Sequence, residues 1–275
     1  MTAAETVRCT GRVPLGWQAA LLVVEERWLW YRRNWRATAI SSLLQPLLFL
    51  VAFGIGFGRL IDANDGAARA TGGMPYLVYL APALLVIGAV QTAAFESTYP
   101  ILSAFKWQRT YWAVTATPVT PAQLAGGQLT WIALRLTLSG AAYLLVVALF
   151  GVMHGPGVLL ALAFAVLCGM AFSAPLVAFS AAQEGEGTAF AAVFRFVVVP
   201  MTLFSGTFFP ISQLPGVIQP LAWISPLWHG TELTRGATLG TVALWPAVGH
   251  VAYLTALLLA GVLLSRWRFR IRLTR

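Results

Sequence analysis

Residues 196–230 read FVVVPMTLFSGTFFPISQLPGVIQPLAWISPLWHG, and the rest of the chain is organised around them. After the first uncharged run, Pro215, Pro220 and Pro226 interrupt a second apolar stretch. Each proline removes a backbone donor and obstructs the preceding turn, so this second stretch cannot form one straight spanning helix. Apolar pieces of about ten residues suit a re-entrant or interfacial segment. Because irregular backbone survives at membrane depth only where protein buries it or it lines a wet cavity, the stretch predicts a site.

The composition predicts an all-α polytopic membrane protein. Of the 275 residues, 59% are hydrophobic and only 10% are charged, whereas a soluble domain carries about 25% charged residues. Uncharged runs of about twenty residues are typical of transmembrane helices. The sequence predicts six such spans, at residues 37–57, 77–95, 129–150, 158–182, 188–209 and 242–265.

The segment 14–36 predicts an amphipathic helix in front of the first span. Its apolar residues recur at alternating steps of four and three, whereas its arginines lie away from that stripe. The stripe consists of Trp17, Leu21, Val24, Trp28, Tyr31 and Trp35. Tryptophans on one face and arginines on another are typical of a helix lying in the bilayer interface. The alternative is a helix packed on another cytoplasmic domain, which this chain does not encode.

The net charge of +9 does not predict a nucleic-acid partner, because the arginines lie at the edges of hydrophobic runs rather than on one folded face. Charge in such positions orients membrane helices. With the N-terminus inside, thirteen of the eighteen Lys and Arg residues fall on the cytoplasmic side, and three, Arg59, Arg69 and Arg235, fall on the external side. We therefore expect both termini in the cytoplasm. The two cysteines, Cys9 and Cys168, supply neither a disulfide framework nor a metal site.

This topology predicts an external re-entrant segment at 210–230 and a long cytoplasmic loop at 96–121. Part of that loop mixes apolar, basic and aromatic residues, which favours a short helix at the membrane surface. This short helix is expected to stop at the two Thr-Pro pairs Thr117–Pro118 and Thr120–Pro121, because the residue before each proline avoids the helical region.

Two arginines lie within the predicted spans, Arg135 in the third and Arg195 in the fifth. A charged residue inside a membrane span indicates a functional site, and the function considered for these two is contact with an anionic headgroup of the substrate. The alternative is that both side chains snorkel to the cytoplasmic interface or pair with Glu96, Glu184 or Glu186. The last two glutamates occupy a glycine-rich connection, which indicates a solvated loop.

A second function class is a membrane enzyme. In a six-span intramembrane serine hydrolase of the rhomboid type, Ser205 would be the nucleophile and His229 or His250 its base. The Gly-x-Ser-Gly pattern is incomplete, however, because Leu203 stands where the first glycine would be. A channel or scaffold is the third class considered.

The chain cannot build a Walker-type nucleotide site by itself. That site needs Gly-x-x-x-x-Gly-Lys-[Ser/Thr], and the one lysine, Lys106, stands between Phe105 and Trp107. We therefore expect no cofactor on this chain and no catalytic residue, with ATP and Mg bound by a partner subunit.

The chain resembles the membrane-spanning subunits of type-2 ABC exporters, in particular the nodulation-type lipooligosaccharide and anthracycline-drug export permeases. The resemblance is carried by the segments 204–210 (FSGTFFP), 213–215 (QLP), 225–229 (SPLWH), 232–236 (ELTRG) and 117–120 (TPVT). With the six spans and the interfacial helix, it covers almost the whole chain.

The resemblance implies a half-transporter in a bacterial inner membrane, working as a homodimer or heterodimer of permeases with two separately encoded ATPase subunits. It implies an amphiphilic substrate, such as a glycolipid, a lipid-linked polysaccharide or a hydrophobic drug, and contact with membrane lipid. The loop would couple to the ATPase through Lys106, Trp107, Arg109, Tyr111 and Trp112. The candidates for the translocation path or gate are Arg135, Arg195, Ser205, Thr207, Phe208 and Phe209.

Overall fold

A computed structural model describes residues 16–58, 73–153, 155–241 and 243–274, without the side chains of 37–43, 45, 46, 53–55 and 57. Within these ranges all regular structure is helical. Residues 14 and 15 of the predicted interfacial helix, Cys9, and residue 242 of the last predicted span lie outside the described residues, as do most side chains of the first predicted span.

Ten helices account for most of the described residues. In chain order they are α1 (Gly16–Phe49), α2 (Tyr76–Glu96), α3 (Tyr99–Lys106), α4 (Thr110–Thr115), α5 (Pro121–Leu149), α6 (Gly157–Ala182), α7 (Thr188–Phe204), α8 (Gln219–Ile224), α9 (Pro226–Leu239) and α10 (Leu244–Thr274). A π-helical turn, Leu50–Phe57, continues α1, and another, Phe194–Val198, lies inside α7. A short 3₁₀ turn occupies Ile211–Gln213.

Four helical segments are long and apolar enough to cross a membrane, which confirms a helical membrane protein. Among the described residues they are Tyr76–Lys106, Pro121–Leu149, Gly157–Ala182 and Leu244–Thr274. Two further predicted spans, 37–57 and 188–209, coincide with the end of α1 and with the shorter helix α7. A count of six spans stays a prediction.

Local chemistry accounts for where the observed helices differ from the predicted spans. Helix α5 begins at Pro121 rather than at 129, because Thr120 and Gln123 form a capping box ahead of it. Helix α7 ends at Phe204 rather than at 209, because Gly206 takes a left-handed conformation with φ +72°. Helix α10 continues to Thr274, so Arg266, Arg268, Arg270 and Arg272 lie on a helix.

Helix α6 is the centre of the bundle and packs against α2, α5, α9 and α10. Its contact with α10 is tight because Gly261 faces Pro175, which lies inside α6, and a Cβ atom on the glycine would lie 2.5 Å from the proline Cδ. Beside it, the Ser265 hydroxyl donates to the carbonyl of Ala174 at 2.7 Å. Small residues here allow two helix backbones to approach closely.

Helix α1 packs on α5 through Val23 and the carbonyl of Ala20, which face Gly127. The predicted tryptophan stripe is only partly covered, with Trp17 64% and Trp35 53% exposed. The helix breaks at Asn34, whose φ of −112° and ψ of 16° are not helical. The bilayer-interface role of residues 14–36 stays a prediction.

Candidate functional site

The end of α7 opens into an irregular loop, residues 205–209, which we call the 205–209 loop. Ser205 follows the last helical turn, and Gly206 turns the chain with φ +72°. Ser205 and Thr207 are buried, and Phe208 and Phe209 are half-buried. The carbonyl groups at this helix end carry the negative end of the helix dipole and need partners.

Arg235 of α9 supplies those partners. Its Nη1 donates to the carbonyl of Gly206 at 2.8 Å, its Nη2 to that of Thr207 at 2.7 Å, and its Nε to that of Tyr79 at 3.2 Å. The guanidinium also lies 3.7 Å from the centre of the Tyr79 ring. Arg235 is only 7% exposed. A planar cation with several donors can hold three carbonyls at once, which an ammonium group cannot do in the same geometry.

Two tyrosines from the first turn of α2 complete this contact. Tyr76 donates its hydroxyl to the carbonyl of Phe208 at 3.0 Å, and Tyr79 donates to that of Gly206 at 3.4 Å. The 205–209 loop is therefore held by its backbone, from α2 and α9 together.

The chain after the 205–209 loop returns into the bundle. The Ser205 and Ser225 hydroxyls lie 2.6 Å apart, and the Cys168 thiol donates to the carbonyl of Pro226 at 3.2 Å. Cys168 is near the middle of α6, whereas Gly157, which meets Ala237, is its first residue. Helix α9 thus runs from mid-height of α6 back to its start, packed between α6 and α2.

A histidine pair connects α9 to α10. The Nδ1 atoms of His229 and His250 lie 2.7 Å apart, and His229 Nε2 lies 2.9 Å from the carbonyl of Trp223. Because a carbonyl can only accept, His229 must carry its proton on Nε2, so His250 donates from Nδ1. Tyr253 stacks on the His229 ring at 4.1 Å.

These contacts correct the suggestion that His250 faces Ser205. The partner of His250 is His229, and the partner of Ser205 is Ser225. The described residues therefore contain no serine–histidine pair of the kind that a serine hydrolase needs. They also bring together no group of three metal-ligating side chains.

At the opposite end of the bundle, α3 and α4 form the loop predicted to couple to a partner. Lys106 pairs with Glu186 of the α6–α7 connection at 2.5 Å. This hydrogen bond to Lys106 is the main reason why the pKa of Glu186 is lowered. Beneath the pair, Arg272 of α10 lies 4.2 Å from the centre of the Phe105 ring and donates to the carbonyl of Ala181 at 2.9 Å.

The other predicted coupling residues divide into exposed and buried groups. Trp107 is 51% and Trp112 40% exposed. Arg109 is exposed and adopts a left-handed φ of 55°. Tyr111 is instead buried, and its hydroxyl donates to Gln128 Oε1 at 3.1 Å. Tyr111 therefore anchors the loop to α5, and the exposed residues Trp107, Arg109 and Trp112 form its accessible surface.

The two arginines of the predicted spans have different surroundings. Arg135 is 3% exposed, pairs with Glu96 at 3.4 Å and donates to the Tyr31 hydroxyl at 3.2 Å. Pairing with Glu96 is one of the alternatives that the sequence left open. Arg195 is exposed on α7 and makes no ion pair within the described residues.

Sequence reasoning missed Arg235, Tyr76 and Tyr79 as parts of the site. It placed Arg235 among the external loop charges, although the structure buries it. A signal was present, because Glu232 and Arg235 are three residues apart in a segment that otherwise contains no Asp, Glu, Lys or Arg. The tyrosines gave no local signal, since their partners are more than a hundred residues away.

These features define a helical membrane protein with a pinned polar loop in one half of the bundle and an exposed basic–aromatic loop at the other end. Residues 18–239 match the ABC-2 type transporter family. The chain belongs to that family, and it is the membrane-spanning subunit of an ABC exporter.

Full-length relatives support the same assignment. The chain is 31% identical over 246 residues to nodulation protein J of Sinorhizobium fredii, covering 86% of this chain and 89% of that protein. It is 31% identical over 224 residues to nodulation protein J of Rhizobium meliloti, covering 78% and 82%. For nodulation protein J of Rhizobium leguminosarum bv. trifolii the identity is 30% over 253 residues, covering 89% and 93%.

Proposed function

We propose that two permease subunits of this kind assemble with two separate ATPase subunits and export a lipooligosaccharide or a similar amphiphile. The observation that carries the proposal is the similarity to nodulation protein J along most of both chains. The substrate class comes from the sequence motifs shared with lipooligosaccharide export permeases, in particular residues 204–210 and 225–236. In this proposal the chain binds no nucleotide, and the partner binds ATP and Mg²⁺.

The proposed topology has six spans in a bacterial inner membrane with both termini cytoplasmic. The distribution of Lys and Arg supports it. It makes the end of the bundle that carries Lys106 cytoplasmic and the opposite end, to which α9 returns, external. Helices α8 and α9 are then a re-entrant pair, which is supported by the return of the chain to mid-height of α6 at Pro226.

In this arrangement the 205–209 loop is the exit gate. Its backbone is fixed through Arg235, while Ser205, Thr207, Phe208 and Phe209 are the gate candidates. Thr207 is fully buried and its hydroxyl has no hydrogen-bond partner among the described residues. An unpartnered buried hydroxyl is a group that a second conformation of the gate can satisfy.

Coupling is proposed to run from the exposed face of α3 and α4 into the bundle. Trp107, Arg109 and Trp112 contact the ATPase, Lys106 connects the loop to α7 through Glu186, and Tyr111 connects it to α5. When ATP closes the partner, displacement of this loop shifts the population between inward-open and outward-open states.

The path is proposed to lie along the interface between two permeases. The exposed Arg195 is the candidate for contact with an anionic headgroup or with lipid. Arg135 holds α1, α2 and α5 together, through Tyr31 and Glu96, and is assigned to positioning the path wall.

The test is co-expression of this chain with a separately encoded ABC ATPase subunit from the same genome. We expect the two to co-purify, and ATP hydrolysis to depend on this chain. Failure to co-purify with any ATPase contradicts the proposal.

A charge swap tests the coupling route. We expect Lys106→Glu and Glu186→Lys each to lower stimulated ATP hydrolysis by about two- to fivefold, the range for an exposed ion pair. The double variant should recover most of the activity, because the pair is restored with opposite polarity. If the double variant is as weak as Lys106→Glu, the lysine acts on the partner directly and the route through Glu186 is wrong.

A further inference from the structure

A cavity of about 440 Å³ lies between residues 210–212, which follow the 205–209 loop, and the helices α9 and α10. Its polar lining includes Trp228, Glu232, Arg235 and His250, and its apolar lining includes Pro246 and Ala247. This volume is within the ordinary range for small-molecule sites, which is about 300–1,000 Å³. None of the loop residues 205–209 lines the cavity, but Arg235, which holds the backbone of that loop, does.

The polar groups of the cavity retain unused hydrogen-bonding capacity. Arg235 uses three of the five donors of a guanidinium on carbonyl oxygens. His250 donates from Nδ1 to His229, so its Nε2 is an acceptor, and it has no partner among the described residues. The Trp228 indole N–H is likewise unpartnered there, and the Glu232 carboxylate reaches only an ion-pair distance of 3.8 Å from Arg235.

These groups favour a neutral ligand that both donates and accepts hydrogen bonds. Glu232 repels an anion and Arg235 repels a cation, so the two charges together favour neither. A hydroxyl group donates to the carboxylate or to the imidazole nitrogen, and it accepts from the guanidinium or the indole N–H. The ring of Trp228 and the side chain of Pro246 offer flat apolar surface to C–H groups.

We propose that this cavity binds a neutral saccharide, the headgroup of the exported amphiphile, next to the gate. The proposal rests on the proposed function, because the same loop that Arg235 holds is the exit gate. Occupation of the cavity engages the free donors of Arg235 and so connects substrate binding to the residue that pins the gate backbone.

The test uses the full chain in lipid nanodiscs without the ATPase and methyl β-D-glucoside as the probe. Saturation-transfer NMR should show transfer from the protein to the sugar ring protons. We expect Trp228→Leu to abolish the transfer, and Glu232→Gln to weaken binding about fivefold, because a charged acceptor is replaced by a neutral one.

Trp223→Leu is the matched control, because Trp223 is an exposed tryptophan, 51% accessible, on the neighbouring α8 and outside the cavity. It should bind the probe like the unsubstituted chain. Thermal unfolding midpoints of the three variants identify any loss caused by misfolding, and Glu232→Gln, at a partly exposed position, keeps the test valid if Trp228→Leu is unstable.

Absence of saturation transfer from the unsubstituted chain to the sugar overturns the proposal, and so does equal saturation transfer from all variants. Displacement of the sugar by inorganic phosphate also overturns it, in favour of an anion site. ATP hydrolysis by the same variants in complex with the ATPase is measured separately. If the unsubstituted chain does not bind the sugar but still couples to the ATPase, only the cavity proposal fails, whereas failure of the unsubstituted chain to form the complex removes the exporter proposal itself.

Discussion

Arg235 is the single side chain on which the arrangement of the site depends most. It joins α9 to the end of α7 and to the first turn of α2 through three carbonyl oxygens. A buried cation needs hydrogen-bond acceptors to offset its desolvation, and three backbone carbonyls supply them here. The gate is therefore fixed by backbone contacts, so its side chains can vary without releasing it.

We expect Arg235→Lys to destabilise the chain by about 2 kcal/mol, because an ammonium group leaves some of the three buried carbonyls without a donor. The measurement is the thermal unfolding midpoint of the purified protein. Arg270→Lys is the control, since Arg270 is exposed on α10 and its side chain has no partner among the described residues. Equal midpoints for the two variants contradict the role given to Arg235.

At the scale of the elements, close approach to α6 determines how α9 and α10 are placed. A Cβ atom on Gly230 would lie 2.7 Å from the Cys168 side chain, and one on Gly261 would lie 2.5 Å from Pro175. Such distances leave no room for a methyl group. Glycine at these positions allows both helices to lie against α6 at once.

Glycine substitutions in α10 separate packing from helix propensity. Gly261→Ala introduces a methyl group against Pro175, and we expect a loss of about 2 kcal/mol, typical of overpacking. Gly249→Ala lies in the same helix with open space around it, and it should stabilise the chain by up to about 1 kcal/mol, because alanine is the better helix former. The thermal unfolding midpoints of the two variants are compared. If Gly261→Ala stabilises the chain, the tight contact between α10 and α6 at Pro175 is ruled out.

At the scale of the whole molecule, the two ends of the bundle differ in chemistry. The 205–209 loop and its contacts contain one buried arginine and several hydroxyl groups. The end with α3 and α4 carries Lys106, Arg109 and the arginines at the end of α10. That asymmetry is the physical basis for the proposed orientation, since Lys and Arg are retained on the cytoplasmic side.

Single-cysteine labelling tests this orientation in a chain whose Cys9 and Cys168 are replaced by alanine. Val217, 92% exposed before α8, should react as Val217→Cys with a membrane-impermeant maleimide in intact cells. Gln108→Cys, at an exposed position of the α3–α4 turn, should react only after permeabilisation. The reverse pattern contradicts the proposed topology.

Prediction from the sequence succeeded where the signal was local. The class of protein follows from composition and from the length of the apolar runs, and the family follows from short motifs such as residues 204–210. The start of α5 was missed by eight residues, although the signal of Thr120 and Gln123 was present in the sequence. The period of the tryptophan stripe did not predict its exposure, because Val23 and the carbonyl of Ala20, beside the stripe, make the contact with α5.

The sequence by itself determined a helical membrane protein with a proline-broken segment, a basic–aromatic loop and no lysine for a phosphate loop. These are properties of neighbouring residues, and hydropathy and proline chemistry act over a few turns. Only the tertiary structure decided that Arg235 is buried against the gate, that Ser205 pairs with Ser225, and that Lys106 pairs with Glu186. Those partners are separated by 20 to 80 residues along the chain. Arg235 and Ser225 reach the gate because a glycine lets α9 pack closely on α6, and Lys106 reaches Glu186 because α3 packs on α6. No local pattern encodes either approach.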